Sequence, residues 1–187
     1  GRTITFALQP EPKGTGHAVR CARESVSGAE HVLVLYGDQP LMSAATIRRV
    51  VDRHASAGAD MTMLTVPLQD FSGWRASFAD WGRIVRGADG TLARIVEAKE
   101  ATASELRITE VNPAQFCFRA SWLWEQLPRL GTANAQGEYY LTDLLEMATE
   151  SGARLADVAI VDPREALGAN TPEQLSVLER TYKELST

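Results

Sequence analysis

The sequence predicts an α/β fold, Rossmann-like, with a mixed but mainly parallel sheet and an inserted β-hairpin. Two observations carry this. Short apolar runs of strand length alternate along the chain with amphipathic helical stretches, the pattern of crossover connections. The run His31-Val32-Leu33-Val34-Leu35-Tyr36 is almost continuously apolar, as suits a central strand covered on both faces.

The elements follow in order. The run at 31–36 ends in the turn cluster Gly37-Asp38-Gln39-Pro40. A helix capped by Ser43 comes next, with Ile47, Val50, Val51 and His54 at helical spacing and Gly58 as its stop. Residues 61–66 read as a strand. Gly82–Arg86 and Thr91–Val96 flank Asp89-Gly90, a strong hairpin signal. Residues 111–118 read as one further strand and 121–130 as a helix rich in Trp and Leu. Leu141, Leu144, Leu145 and Ala148 form a helical stripe closed by Gly152, with Thr142 as the cap expected before it. Residues 155–161 make another strand. Thr171-Pro172-Glu173-Gln174 combines a Thr N-cap, a Pro at the first helical position and a Gln at the third. Leu175, Leu178, Tyr182 and Leu185 are the expected buried stripe of that last helix.

Composition narrows the function. The 187 residues suit one domain and carry a formal charge of -5. A mildly acidic chain with scattered Lys and Arg has no basic stripe for nucleic acid or anionic lipid. No apolar run approaches the ~20 residues of a membrane span, and no basic-then-apolar leader opens the chain. The two cysteines, Cys21 and Cys117, lie outside any CxxC motif and read as buried reduced thiols. There is no G-x-S-x-G nucleophile elbow, P-loop or G-x-G-x-x-G fingerprint.

Ligands of open α/β sheets gather at the carboxyl ends of strands. Asp38 follows the most strand-like run, and Asn170 precedes the best-capped helix. One carboxylate and one neutral oxygen, completed by substrate phosphates, is a usual way to hold Mg²⁺. The bland alternatives are a turn aspartate and a helix-entry asparagine. Gly14-Thr15-Gly16 offers bare backbone amides before a helix, and residues 134–143 form a polar, aromatic connection. Glu97 and Asn112 lie near strand ends.

Taken together, Leu8-Gln9 with Gly14-Thr15-Gly16-His17-Ala18, Leu35 to Leu41, Gly82-Arg83-Ile84, Ile95 to Ala101, Glu110-Val111-Asn112, Asn134 to Asp143 and Gly168-Ala169-Asn170 form an ordered set. That set resembles the uridylyltransferase (pyrophosphorylase) domain of bacterial bifunctional N-acetylglucosamine-1-phosphate uridyltransferase/glucosamine-1-phosphate acetyltransferase, over about residues 4 to 182. The resemblance implies a nucleotide-diphospho-sugar transferase fold. It implies Mg²⁺-dependent transfer of UMP from UTP to N-acetylglucosamine 1-phosphate, giving UDP-N-acetylglucosamine, a peptidoglycan precursor, and pyrophosphate in the cytoplasm. Gln9 and Gly14 would then meet the uracil edge. Thr15 and Tyr36, with Gly37 beside them, would line the pocket on its sugar side. Gly82, Glu97 and Asn112 would bind the N-acetylglucosamine, and Asp38 and Asn170 would hold Mg²⁺.

The chain departs from the family pattern at several points. The family's opening strand and G-x-G-T-R-M-type loop are absent, as are its hexapeptide repeats, so the chain is expected to be a partial domain, inactive alone, with its oligomeric state left open. Trp81 stands where the family has Tyr, and Asn112-Pro113-Ala114 replaces Asn-Thr-Gly. The alternatives are a related transferase using another sugar or nucleotide, and a non-catalytic nucleotide-sugar-binding module.

Overall fold

The computed structural model describes residues 4–185. Seven strands form one sheet: β1 (His31–Val34), β2 (Met61–Pro67), β3 (Arg83–Arg86), β4 (Leu92–Val96), β5 (Glu110–Val111), β6 (Phe116–Arg119) and β7 (Leu155–Ala159). The helices are α1 (Thr15–Cys21), α2 (Ala44–Ala57), α3 (Ala120–Gln126), α4 (Leu144–Ser151) and α5 (Pro172–Leu185), joined by short 3-10 turns.

The sheet is mixed, as expected, but it is not mainly parallel. Among the described residues only β2 and β7 pair in parallel; the β1–β6, β2–β6, β2–β5, β3–β5 and β3–β4 pairs are all antiparallel. The crossover from β1 through α2 to β2 does join strands of the same direction, since both run antiparallel to β6. Strand β6 enters between them and replaces one parallel contact with two antiparallel ones. Alternating elements in a sequence report the crossover and not what is inserted into it.

β2 is the spine of the sheet. Its first half pairs with β6, its last residues with β5, and its other edge with β7. Six of its seven residues are buried, which explains the apolar sequence at 61–66. The run expected as one strand over 111–118 is split. Asn112 Oδ1 accepts from the Ala114 amide at 2.9 Å, closing a turn between β5 and β6. Both halves still pair with β2.

Arg86 ties three strands together. Its guanidinium donates to both carboxylate oxygens of Glu110 at 2.8 and 2.6 Å, and to Asp157 at 2.6 Å. On the helix side, Ser43 Oγ accepts from Thr46 N at 3.1 Å and Gly58 takes the left-handed conformation, so both ends of α2 form as the sequence signals. The buried face of α2 is Thr46, Val50 and His54, whereas Val51 is exposed. His54 bonds Thr62 and shares a 3.1 Å contact with His31; burial first, then the neighbouring His31, pushes its pKa down to about 4.

Three further expectations are corrected. Thr142 does not cap α4; it lies inside a 3-10 turn, and Asp143 occupies the cap position without a side-chain bond. Only Leu178 of the expected α5 stripe is buried, at 6% exposure, against 49% for Leu175, 61% for Tyr182 and 40% for Leu185. Amphipathic spacing marks an apolar face but does not supply the surface that covers it. Cys117 is buried as expected, whereas Cys21 is half-buried. The cap of α5 is as predicted: Gln174 N donates to Thr171 Oγ1, and Gln174 Oε1 accepts from the amides of Asn170 and Thr171.

Ala114 is the one non-glycine residue with positive φ, 61°, among those described. A Cβ in that region is strained. Ala114→Gly is expected to raise the unfolding free energy by about 0.5–1 kcal/mol, read from the midpoint of urea denaturation; a fall would show that the turn carries no strain.

Candidate active-site cleft

A cleft of about 620 Å³ opens along one end of the sheet. Seven of the residues singled out from the sequence line it: Thr15, Tyr36, Asp38, Gly82, Glu97, Asn112 and Asn170. Gln9, Gly14 and Gly37 do not line it. Gln9 spends its amide inward, with Nε2 3.1 Å from both the Gly14 carbonyl oxygen and His17 Nδ1.

Asp38 and Asn170 stand 132 positions apart in the numbering, yet backbone contacts bring their loops together. The Ala169 amide donates to the Asp38 carbonyl at 3.1 Å. A Cβ on Gly168 would lie 3.1 Å from that same oxygen, so a bare residue is needed for the two loops to approach. Among the described residues no three His, Cys, Asp or Glu side chains gather to hold a metal by themselves. One carboxylate and one amide oxygen beside an open cleft fit Mg²⁺, an ion that keeps water and takes phosphate oxygens for its remaining positions.

Strands β3, β4 and β5 bring Gly82, Glu97 and Asn112 to the same cleft. The Asn112 amide donates to the Gly82 carbonyl at 2.9 Å. A Cβ on Gly82 would lie 2.8 Å from Ile95 Cγ2 and 3.3 Å from a Glu97 oxygen, so a side chain there would press on Ile95 and crowd that carboxylate. Asn112 uses its side-chain oxygen on Ala114, which leaves its NH₂ as the donor for a ligand. Burial, then the charges of Glu100 and Asp143, raise the Glu97 pKa.

The connection over 134–143 supplies Ala135, Gln136, Glu138, Tyr140 and Thr142 to the rim. Asn134 shapes it, with Oδ1 accepting from the amides of Gln136 and Glu138 and Nδ2 donating to the Glu138 carbonyl at 2.6 Å. The Leu141 amide donates to Thr15 Oγ1 at 3.0 Å, fastening this segment to α1. The two departures from the family pattern both fall on the lining: Trp81, edge-on to Phe78 at 4.7 Å, and Pro113.

Sequence reading missed Asp80, Lys99 and Glu100, which also line the cleft. Lys99 and Glu100 lie within the Ile95 to Ala101 run that carries the resemblance but were given no role, and Asp80 was signalled only by its nearness to Gly82. Among the described residues the lining holds five carboxylates, those of Asp38, Asp80, Glu97, Glu100 and Glu138, and a single cation, Lys99. Behind it, burial first and then Glu146 and Glu100 push the Asp143 carboxyl up to about 6. A carboxyl with a raised folded pKa binds more protons folded than unfolded, so its contribution to stability falls as pH rises from about 4 to about 6. Asp143→Asn is therefore expected to have a higher Tm than the parent at pH 7, with the difference closing by pH 4. A constant difference across that range counts against the shift.

The chain is 44% identical over 178 residues to the bifunctional protein GlmU of Geobacter sulfurreducens, covering 95% of this chain and 36% of that protein. The protein of the same name from Burkholderia thailandensis is 44% identical over 180 residues, covering 96% and 38%. That from Clostridium acetobutylicum is 38% identical over 175 residues, covering 93% and 37%. The chain thus spans little more than a third of the length of the curated relatives it matches. The family model for the MobA-like NTP transferase domain matches residues 2–150. That match runs over most of the sequence and takes in every residue of the cleft lining but Gly168, Asn170 and Gln174, and the chain belongs to the MobA-like NTP transferase domain family.

Proposed function

We propose that this cleft transfers UMP from UTP to N-acetylglucosamine 1-phosphate, with release of pyrophosphate, as one domain of a cytoplasmic enzyme of nucleotide-sugar synthesis. The observation that carries the reading is the meeting of the Asp38 and Asn170 loops on a cleft that Gly82, Glu97 and Asn112 also line. Asp38 and Asn170 would hold Mg²⁺. When bound, Mg²⁺ offsets phosphate charge, as sites for phosphoryl transfer require. Glu97 would accept from sugar hydroxyls and the Asn112 NH₂ would donate to the sugar. These groups orient the sugar phosphate so that its oxygen attacks the α-phosphorus of UTP in line as pyrophosphate leaves. No covalent enzyme intermediate is needed.

The test is pyrophosphate release by the natural protein that carries this sequence, with UTP against CTP and N-acetylglucosamine 1-phosphate against other sugar 1-phosphates. Turnover confined to UTP and the N-acetylated sugar is the expected result. Turnover with a different sugar would assign the changes at Trp81 and Pro113 to substrate choice. Binding of UDP-N-acetylglucosamine without turnover, and insensitive to Mg²⁺, would favour a binding module instead.

A further inference from the structure

Gln39 and Gln115 form a hydrogen-bonded chain whose direction the backbone dictates. Gln39 Nε2 donates to the Pro113 carbonyl at 3.0 Å, and Gln115 Nε2 donates to Gln39 Oε1 at 2.6 Å. A carbonyl only accepts, so Gln39 must turn its NH₂ toward Pro113 and its oxygen toward Gln115. Gln115 then has to donate, and its own Oε1 is left without a partner in a residue only 2% exposed. A buried oxygen without a partner costs stability. On stability alone, two apolar side chains of the same shape would serve better.

The position of Gln39 shows what the pair does. Gln39 lines the cleft one residue after Asp38. Its Cγ lies 3.3 Å from where a Gly168 Cβ would stand, against the loop that carries Asn170. Its amide holds the carbonyl of Pro113, in the turn between Asn112 and the positive-φ residue Ala114. Three cleft loops therefore meet at this one side chain. Pro113 has no N–H of its own with which to anchor the turn.

The geometry points to Gln39, oriented by Gln115, as a positioning residue that holds the Asn112–Ala114 turn in register with Asp38 and so sets the affinity of the cleft for its sugar 1-phosphate. This rests on the reaction proposed above. The test compares Gln39→Met, Gln115→Met and the double variant with the parent natural protein, measuring KM for both substrates, kcat and Tm. Each variant is expected to raise the KM for N-acetylglucosamine 1-phosphate about tenfold, the scale of one buried hydrogen bond. The KM for UTP and kcat stay within about twofold of the parent, and the double variant is no worse than the single ones, because both residues act through one chain. Gln115→Met keeps Gln39 in place, so the result does not depend on the fold tolerating a change at 39. Equal increases in both KM values, or a fall in Tm with unchanged kinetics, would overturn the assignment and leave the pair a packing device. No nucleotide sugar from the parent protein would overturn the proposed reaction itself, and the assignment with it.

Discussion

Replacing Asp38 by asparagine is expected to lower the rate of pyrophosphate release by roughly 10²–10³-fold, the scale for losing a group that stabilises transferring phosphates. This residue has two separable jobs. Its backbone carbonyl, which accepts from Ala169 at 3.1 Å, holds the two loops together and is untouched by the change. Its side chain lines the cleft. Asparagine keeps the shape and removes the negative charge that the proposed Mg²⁺ site would need beside the phosphates. The Tm therefore stays within about 2 °C of the parent while the rate collapses. A rate within about threefold of the parent would remove Asp38 from the reaction.

Gly14→Ala is expected to destabilise the protein by roughly 2–4 kcal/mol, combining backbone strain with overpacking. Gly14 has φ 94°, a conformation that an L side chain rarely adopts. An added Cβ would stand 2.7 Å from the Tyr139 carbonyl oxygen and 2.9 Å from the Tyr139 amide. Those are rigid backbone atoms, and they already clamp this segment: the Gly16 amide donates to the Tyr139 carbonyl at 2.8 Å and the Tyr139 amide to Lys13 at 2.9 Å. Forcing the clamp open also withdraws Thr15 from Leu141. Urea denaturation reads the loss directly. A change below about 0.5 kcal/mol would show that residues 13–16 sit on the body of the protein too loosely to matter.

Local chemistry was legible in the sequence where one residue type answers one backbone need. Ser43, Gly58, Gly152 and the Thr171–Gln174 box each mark a helix end that forms as signalled. The Asp89-Gly90 turn joins β3 to β4 as expected. What failed were statements about partners. The direction of β6, the break at Asn112–Ala114 and the exposure of Leu175 and Tyr182 depend on what lies across the sheet or over the helix, and periodicity does not carry that information. The cleft divides in the same way. Asp38 and Asn170 stood out by their places after a strand and before a capped helix. Gln39 was read only as a turn residue, and its partner Gln115 was invisible, because what matters is a bond between positions 76 apart.

The charge of the cleft wall has a consequence for how assays of this protein behave. Five carboxylates face one lysine on the lining of a protein with net charge -5. Polyphosphate ligands approaching such a wall meet a repulsive field rather than a guiding one. Monovalent salt screens that field, with a Debye length shrinking from ~30 Å at 0.01 M to ~10 Å at 0.1 M. If the cleft takes UTP as proposed, its association is expected to accelerate as ionic strength rises over this range, opposite to the behaviour of enzymes whose basic clefts steer anions inward.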